Sequence, residues 1–179
     1  MLLAASLLLK AFAIPLLARI AWLDFTTQKI SNSNVLLLLC LGAGSLLLLA
    51  LPSDSWWDMT LSTLAGLLLF IVLFPFWVLR KVGAGDVKLM AVIPFLVGGS
   101  GLVVFSLLLM VFAVVMAMVM KNPFLLPAGA FRLYVQHMDR KGVVPFGVPI
   151  SAAATGAIAF QIYGSWLLAS SSGVLQQLN

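Results

Sequence analysis

Long runs of Leu, Val, Ala and Met alternate along this chain with short polar joints, and the runs lack the strict apolar–polar alternation of a strand. A helix crossing ~30 Å of hydrocarbon needs roughly 20 residues. On that ruler the pattern predicts membrane helices near 3–23, 34–52, 60–79 and 148–169. The stretch from Leu89 to Met120 is uncharged over 32 residues. At 1.5 Å per residue it would extend about 48 Å, too long for one comfortable crossing and short for two. Pro94 and the Gly98-Gly99-Ser100-Gly101 cluster supply a break, which predicts a short fourth helix near 87–97 and a fifth near 102–120.

Composition supports spanning helices. With 179 residues, 63% of them hydrophobic and 8% charged, and a mean hydropathy of +1.18, the chain carries more apolar surface than a soluble domain of this size buries. Lipid offers the backbone no hydrogen-bond partners, so only helices or a closed barrel can span it, and unbroken runs select helices. The first run has no basic segment before it and carries Lys10 in mid-run, so it reads as a membrane helix rather than a cleaved signal. Lys10 has two readings, snorkelling outward or lining the interior. The single cysteine, Cys40, has no partner for a disulfide or zinc cluster and reads as packing.

The net charge of +5 raises nucleic acid as a partner, but the ten Lys and Arg form no patch or stripe and all but Lys10 and Arg19 fall at joints, so no nucleic-acid binding is expected. The joints near 24–33, 80–88 and 121–146 are basic; those near 53–59 and 98–101, and the tail after 170, hold no Lys or Arg. Six crossings place every basic joint on one face. By the positive-inside rule the N-terminus then lies outside and the basic joints are cytoplasmic. The expectation is therefore an all-α integral membrane protein of six transmembrane helices, the fourth short, forming one domain over 1–179. Within it, 121–146 is a cytoplasmic or interfacial loop, where Phe131, Tyr134, Val135 and Met138 among basic residues suggest contact with lipid headgroups. His137 in that loop reads as a solvated surface residue. Trp56 and Trp57 sit where an outer aromatic belt would lie.

All five acidic residues are Asp. Asp54, Asp58 and Asp139 lie in joints that water solvates. Asp24 ends the first span and Asp86 opens the fourth, so parity alone brings both to the cytoplasmic end of the bundle. Each alone is explained as a boundary marker or helix cap; at membrane depth each is also a functional candidate. Around Asp86 the chain reads Gly83-Ala84-Gly85-Asp86-Val87-Lys88. Glycines permit positive φ and close approach of another chain, so a flexible loop is expected to present this carboxylate to an extended peptide.

These residues resemble the prepilin peptidase family, membrane aspartyl proteases that process precursors of type IV pilins and pseudopilins. The family's first motif has an Asp followed six to eight residues later by Ile-Pro-Asn, and Asp24 is followed by Ile30-Ser31-Asn32. Its second, G-x-G-D-x-K, is met in full by Gly83, Gly85, Asp86 and Lys88. The span count and Pro145-Phe146-Gly147 are also similar. Ser31 departs from the usual proline, and Gln28-Lys29 from the usual basic pair. Without the N-terminal cytoplasmic region and paired cysteines of larger members, the chain resembles the short, peptidase-only branch associated with tight-adherence (Flp) pili, and methyl transfer is expected to be absent.

The resemblance implies Asp24 and Asp86 as catalytic residues, supported by Gly83, Gly85, Lys88, Ile30 and Asn32, with no metal and no cofactor. Two carboxylates hydrolyse a peptide when one is ionised to deprotonate water and the other is protonated to polarise the carbonyl and protonate the leaving amine. Lys88 is either a charge partner of Asp86 or a positive-inside anchor; Asn32 either serves the site or caps the second helix. The implied substrate is a pilin or pseudopilin precursor with a short basic leader, a Gly before the cut and an apolar helix in the lipid of the bacterial inner membrane. A proton-coupled transport component, a non-catalytic pilus or secretion assembly subunit, and a presenilin-type protease are the competing readings. The acids at one end of the bundle, the G-x-G-D spacing, and Leu23 with only six spans argue against them in turn.

Overall fold

The computed structural model describes residues 2–53, 56–122, 129, 132, 133, 135, 136 and 145–177. Asp54, Phe131, Tyr134, His137, Met138 and Asp139, and the expectations placed on them, lie outside these residues. The described elements are helical: α1 (Leu2–Thr27), α2 (Asn32–Ser53), α3 (Trp57–Val78), α4 (Ala84–Lys121) and α5 (Gly147–Gln177). All five are long and apolar enough to cross a bilayer, which makes this an all-helical, multi-pass membrane protein.

α1 buries one stripe of its surface, whereas the first arm of α4 is buried on nearly every side from Val92 to Gly99. On α1 the stripe runs Ser6, Lys10, Ala13, Leu17, Ile20, Asp24, the i, i+3, i+4 rhythm of one helical face. It packs with Val35 and Leu38 of α2, Leu89, Ile93 and Leu96 of α4, and Ala153, Ala154, Ala157 and Ile158 of α5 into one core. Small alanines on α5 allow close helix approach, the usual means of association where no hydrophobic drive separates lipid from protein. Cys40, expected to pack, is instead exposed, because α2 turns Val35, Leu38 and Leu46 inward and Cys40 faces away from them.

The fourth helix is broken at Gly98, whose φ of 72° and ψ of 165° are open essentially to glycine alone. The expected break is therefore at the glycine cluster and not at Pro94, which stays within the helix. Gly98 and Gly99 lie beside Leu46 of α2 and Leu61 of α3. Before the break, the first arm starts at Ala84, across a cavity from Asp24 near the end of α1; after it, the second arm ends with Met116 and Met120 packed with Phe25, again at the end of α1. The backbone lost to regular helix at the break is repaired from α5: the Gln161 side-chain amide donates to the Val97 carbonyl, and Lys10 Nζ donates to Gln161 Oε1 at 2.8 Å. Lys10 thus lines the interior rather than snorkelling, and is only 5% exposed.

Candidate active site

α1 ends one turn after Asp24. Gln28 takes a left-handed φ of 56°, and its N–H donates to the Asp24 carbonyl at 3.0 Å, which stops the helix and turns the chain back across its end. α2 then begins at a cap the sequence disguises: Ser31, standing where the resembling family has proline, accepts from the Ser33 N–H at 3.3 Å. Ser31 therefore does the capping for which Asn32 was a candidate. Asn32 instead accepts from Lys88 Nζ at 3.0 Å, tying the start of α2 to the start of α4. Of the two readings of Lys88, a partner for Asp86 and a basic anchor at the helix start, the contact made is the one to Asn32.

Gly83, with φ −68° and ψ 143°, caps α4, and Asp86 occupies its first turn. The carboxylate folds back over the cap residue, so a Cβ on Gly83 would lie 3.0 Å from Asp86 Oδ2. An acid at the third helical position folding back on its cap is the geometry of a capping box. Gly85 is pressed against Ile30, whose Cβ would stand 2.9 Å from any Cβ added there. Neither glycine has positive φ. The segment expected as a flexible presenting loop is thus the cap and first turn of a helix, and its glycines serve close approach, not turning.

α5 contributes a part the sequence analysis left as mere similarity. The Gly147 N–H, in the first turn of α5, donates to Asp24 Oδ2 at 2.8 Å in a buried setting. A Cβ on Gly147 would lie 2.8 Å from the carboxyl carbon of Asp24, so only glycine fits. Exposed N–H groups and the positive end of the helix dipole both favour a carboxylate there.

Asp24 and Asp86 wall the same cavity. One lobe, about 520 Å³, is completed by Trp77, Arg80, Lys81, Val82, Pro145 and Phe146. An adjoining lobe of about 640 Å³ runs past Ile30, Ser31, Asn32 and Gly85. α1 and α4 each pack on α2 and α5 and meet one another through side chains of the shared core, and the cavity lies between their acidic ends. Asp24 is buried and Asp86 half-buried. Among the described residues the two non-glycine positions with positive φ, Gln28 and Arg80, both line this cavity. Arg80 ends α3: its N–H donates to the Trp77 carbonyl at 2.9 Å and the Lys81 N–H to Phe76 at 2.8 Å, the paired bonds of a Schellman turn. Glycine is the usual residue there, and backbone strain of this kind concentrates at functional sites. Of the predicted site residues, Asp24, Asp86, Gly83, Gly85, Ile30 and Asn32 line the cavity, whereas Lys88 is held beside it through Asn32. Among the described residues no three His, Cys, Asp or Glu side chains converge as a metal site would require.

A model of the type IV leader peptidase family matches residues 11–119, more than half of the chain and inclusive of both aspartates. The chain belongs to the type IV leader peptidase family. As a family member it is a protease acting on a protein substrate. The matched stretch stops short of Gly147, so the α5 contribution to the cavity comes from geometry alone. No curated protein and no solved structure matches the chain.

Proposed function

We propose that this leader peptidase is an aspartyl endopeptidase that removes the leader from pilin or pseudopilin precursors at the cytoplasmic face of the bacterial inner membrane. The observation carrying this reading is that Asp24 and Asp86, far apart in sequence and on different helices, wall one open cavity. Like charges in a poorly hydrated space hold one proton between them, which leaves one carboxylate to deprotonate water and one acid to protonate the leaving amine. The pair acts as a unit, so acid and base are not assigned to individual residues. Gly147 steadies Asp24, and Gly83 and Gly85 keep the entrance low enough for an extended backbone.

Orientation follows the basic joints: six crossings, with α4 counted as two arms returning to the same face, put Lys29, Arg80, Lys81 and Lys88 on the cytoplasmic side. The contacts of Gly99 with Leu61 and of Met120's cluster with Phe25 support that reading. The precursor's apolar helix then lies in lipid while its leader stays in water, and the scissile bond falls at the level of the cavity. The product is expected to carry an unmethylated amino terminus.

The test is incubation of the purified protein in liposomes with a candidate precursor, followed by N-terminal sequencing of the product. A single new terminus at the leader junction supports the reading; an intact precursor across a panel of pilin and pseudopilin substrates contradicts it. Cleavage is expected to proceed equally in the presence of a chelator, and a rate abolished by chelation and restored by metal would overturn the two-carboxylate chemistry.

A further inference from the structure

α2 and α3 touch each other little, and both pack on the first arm of α4. They approach that arm most closely in its deeper half. A Cβ on Gly42 would lie 2.8 Å from the Leu96 nitrogen, and one on Gly66 would lie 2.5 Å from the Ala91 carbonyl oxygen. Beyond these contacts the two helices converge over the break, with Leu46 beside Gly98 and Leu61 beside Gly99. Toward the aspartates they do not close. A pocket of about 230 Å³ separates α3 from α4, lined by Phe70, Phe74, Trp77, Ala84, Val87 and Lys88. A second, about 410 Å³, lies along α2 between Asn32, Val35, Leu36, Leu39 and the same Lys88.

The two pockets meet at Lys88, and each adjoins the aspartate cavity through shared lining residues. Trp77 and Ala84 belong to the first pocket and to one lobe of the cavity; Asn32 belongs to the second pocket and to the other lobe. From Phe70 to Trp77 the aromatic wall extends about 10 Å, two helical turns. Its rings follow one another along α3 in tilted contact, with centroids 5.7 Å apart for Phe70 and Phe74 and 5.2 Å for Phe74 and Trp77. Aromatic rings in mutual contact form a stiff apolar wall, and the small floor residue Ala84 admits a second backbone closely.

We propose that this opening is the docking groove for the apolar helix of the precursor, which enters from the lipid between α2 and α3 and brings the bond at its end to Asp24 and Asp86. The proposal rests on the peptidase reading above. Acyl chains would cover any apolar face, but only an occupant with a peptide running out of its end uses an opening continuous with the carboxylates. A second copy of this chain would need no such continuity either.

The experiment uses the full chain in liposomes, carrying Asp86→Asn so that bound precursor persists, with a photoreactive amino acid at Leu36, Phe74 or Phe160 in turn. Phe160 is 62% exposed on α5, which packs on α1 and α4 and not on the walls of the groove. Adducts with the precursor are expected from positions 36 and 74 and not from 160. Capture from 160 alone, adducts with lipid only, or dimers of the chain at 36 and 74 overturn the proposal. A second measurement uses the otherwise wild-type enzyme with Phe70→Ala and Phe74→Ala together: KM for the precursor is expected to rise severalfold with kcat held, while a short peptide lacking the apolar helix is cleaved as before. An unchanged KM for the precursor overturns the proposal. Cleavage by the unsubstituted enzyme separates the two levels: no cleavage fails the peptidase reading, whereas cleavage with capture from 160 alone fails the groove and leaves the peptidase reading standing.

Discussion

Asp24 faces inward because it continues the stripe that places Lys10, Ala13, Leu17 and Ile20 in the core, and the turn at Gln28 then ends the helix just past it. The stripe is not legible in a helix that is apolar nearly all round, whereas the G-x-G-D string around Asp86 is visible in the sequence. The partner of Asp24 was not. A backbone N–H has no sequence signature, so Gly147 showed only as part of a similar Pro-Phe-Gly string, and its fit against the carboxyl became evident only in three dimensions. Gln28 and Arg80 were equally hidden, since positive φ at residues other than glycine is not written in composition. Gly147→Ala is expected to lower kcat by about 10²-fold with KM little changed, because a misplaced catalytic group costs rate more than binding. Steady-state kinetics on the inserted variant check this; an unaltered kcat would show that the Gly147 contact does not position Asp24.

At the level of elements, the length of the uncharged stretch from Leu89 to Met120 and its glycine cluster anticipated the break seen at Gly98. The choice of Gly98 over Pro94 was not legible. A proline within a helix costs one hydrogen bond and can be absorbed as a kink, whereas the backbone at Gly98 has left the helix altogether. The repair by Gln161 and Lys10 explains why a lysine sits in mid-run on α1. Gly98→Ala is expected to destabilise the protein by about 1–3 kcal/mol, since a Cβ disfavours this conformation. Reversible unfolding in detergent, compared with Gly164→Ala, where nothing lies within 4 Å of the added Cβ, provides the measurement. Equal stability of the two variants would mean the break does not depend on Gly98.

For the whole molecule, the arrangement is a bundle in which both acidic helices pack on α2 and α5, with an open cavity between the two aspartates. The all-helical class and the convergence of the aspartates followed from run lengths and parity. The lateral opening did not, because it depends on where α2 and α3 separate, which no local pattern records. A shared proton predicts a bell-shaped dependence of kcat/KM on pH: activity falls in acid as both carboxyls protonate and in alkali as the shared proton leaves. A profile flat across both limbs would argue against paired carboxylates. The most direct test of the central claim is the cleavage rate of one reconstituted precursor by wild-type protein, Asp24→Asn and Asp86→Asn, each inserted to the same level. Both substitutions are expected to cut the rate by at least about 10²- to 10⁴-fold, the range lost with a general acid or base. Cleavage at the wild-type rate by either variant would contradict the claim that the two aspartates work as one site.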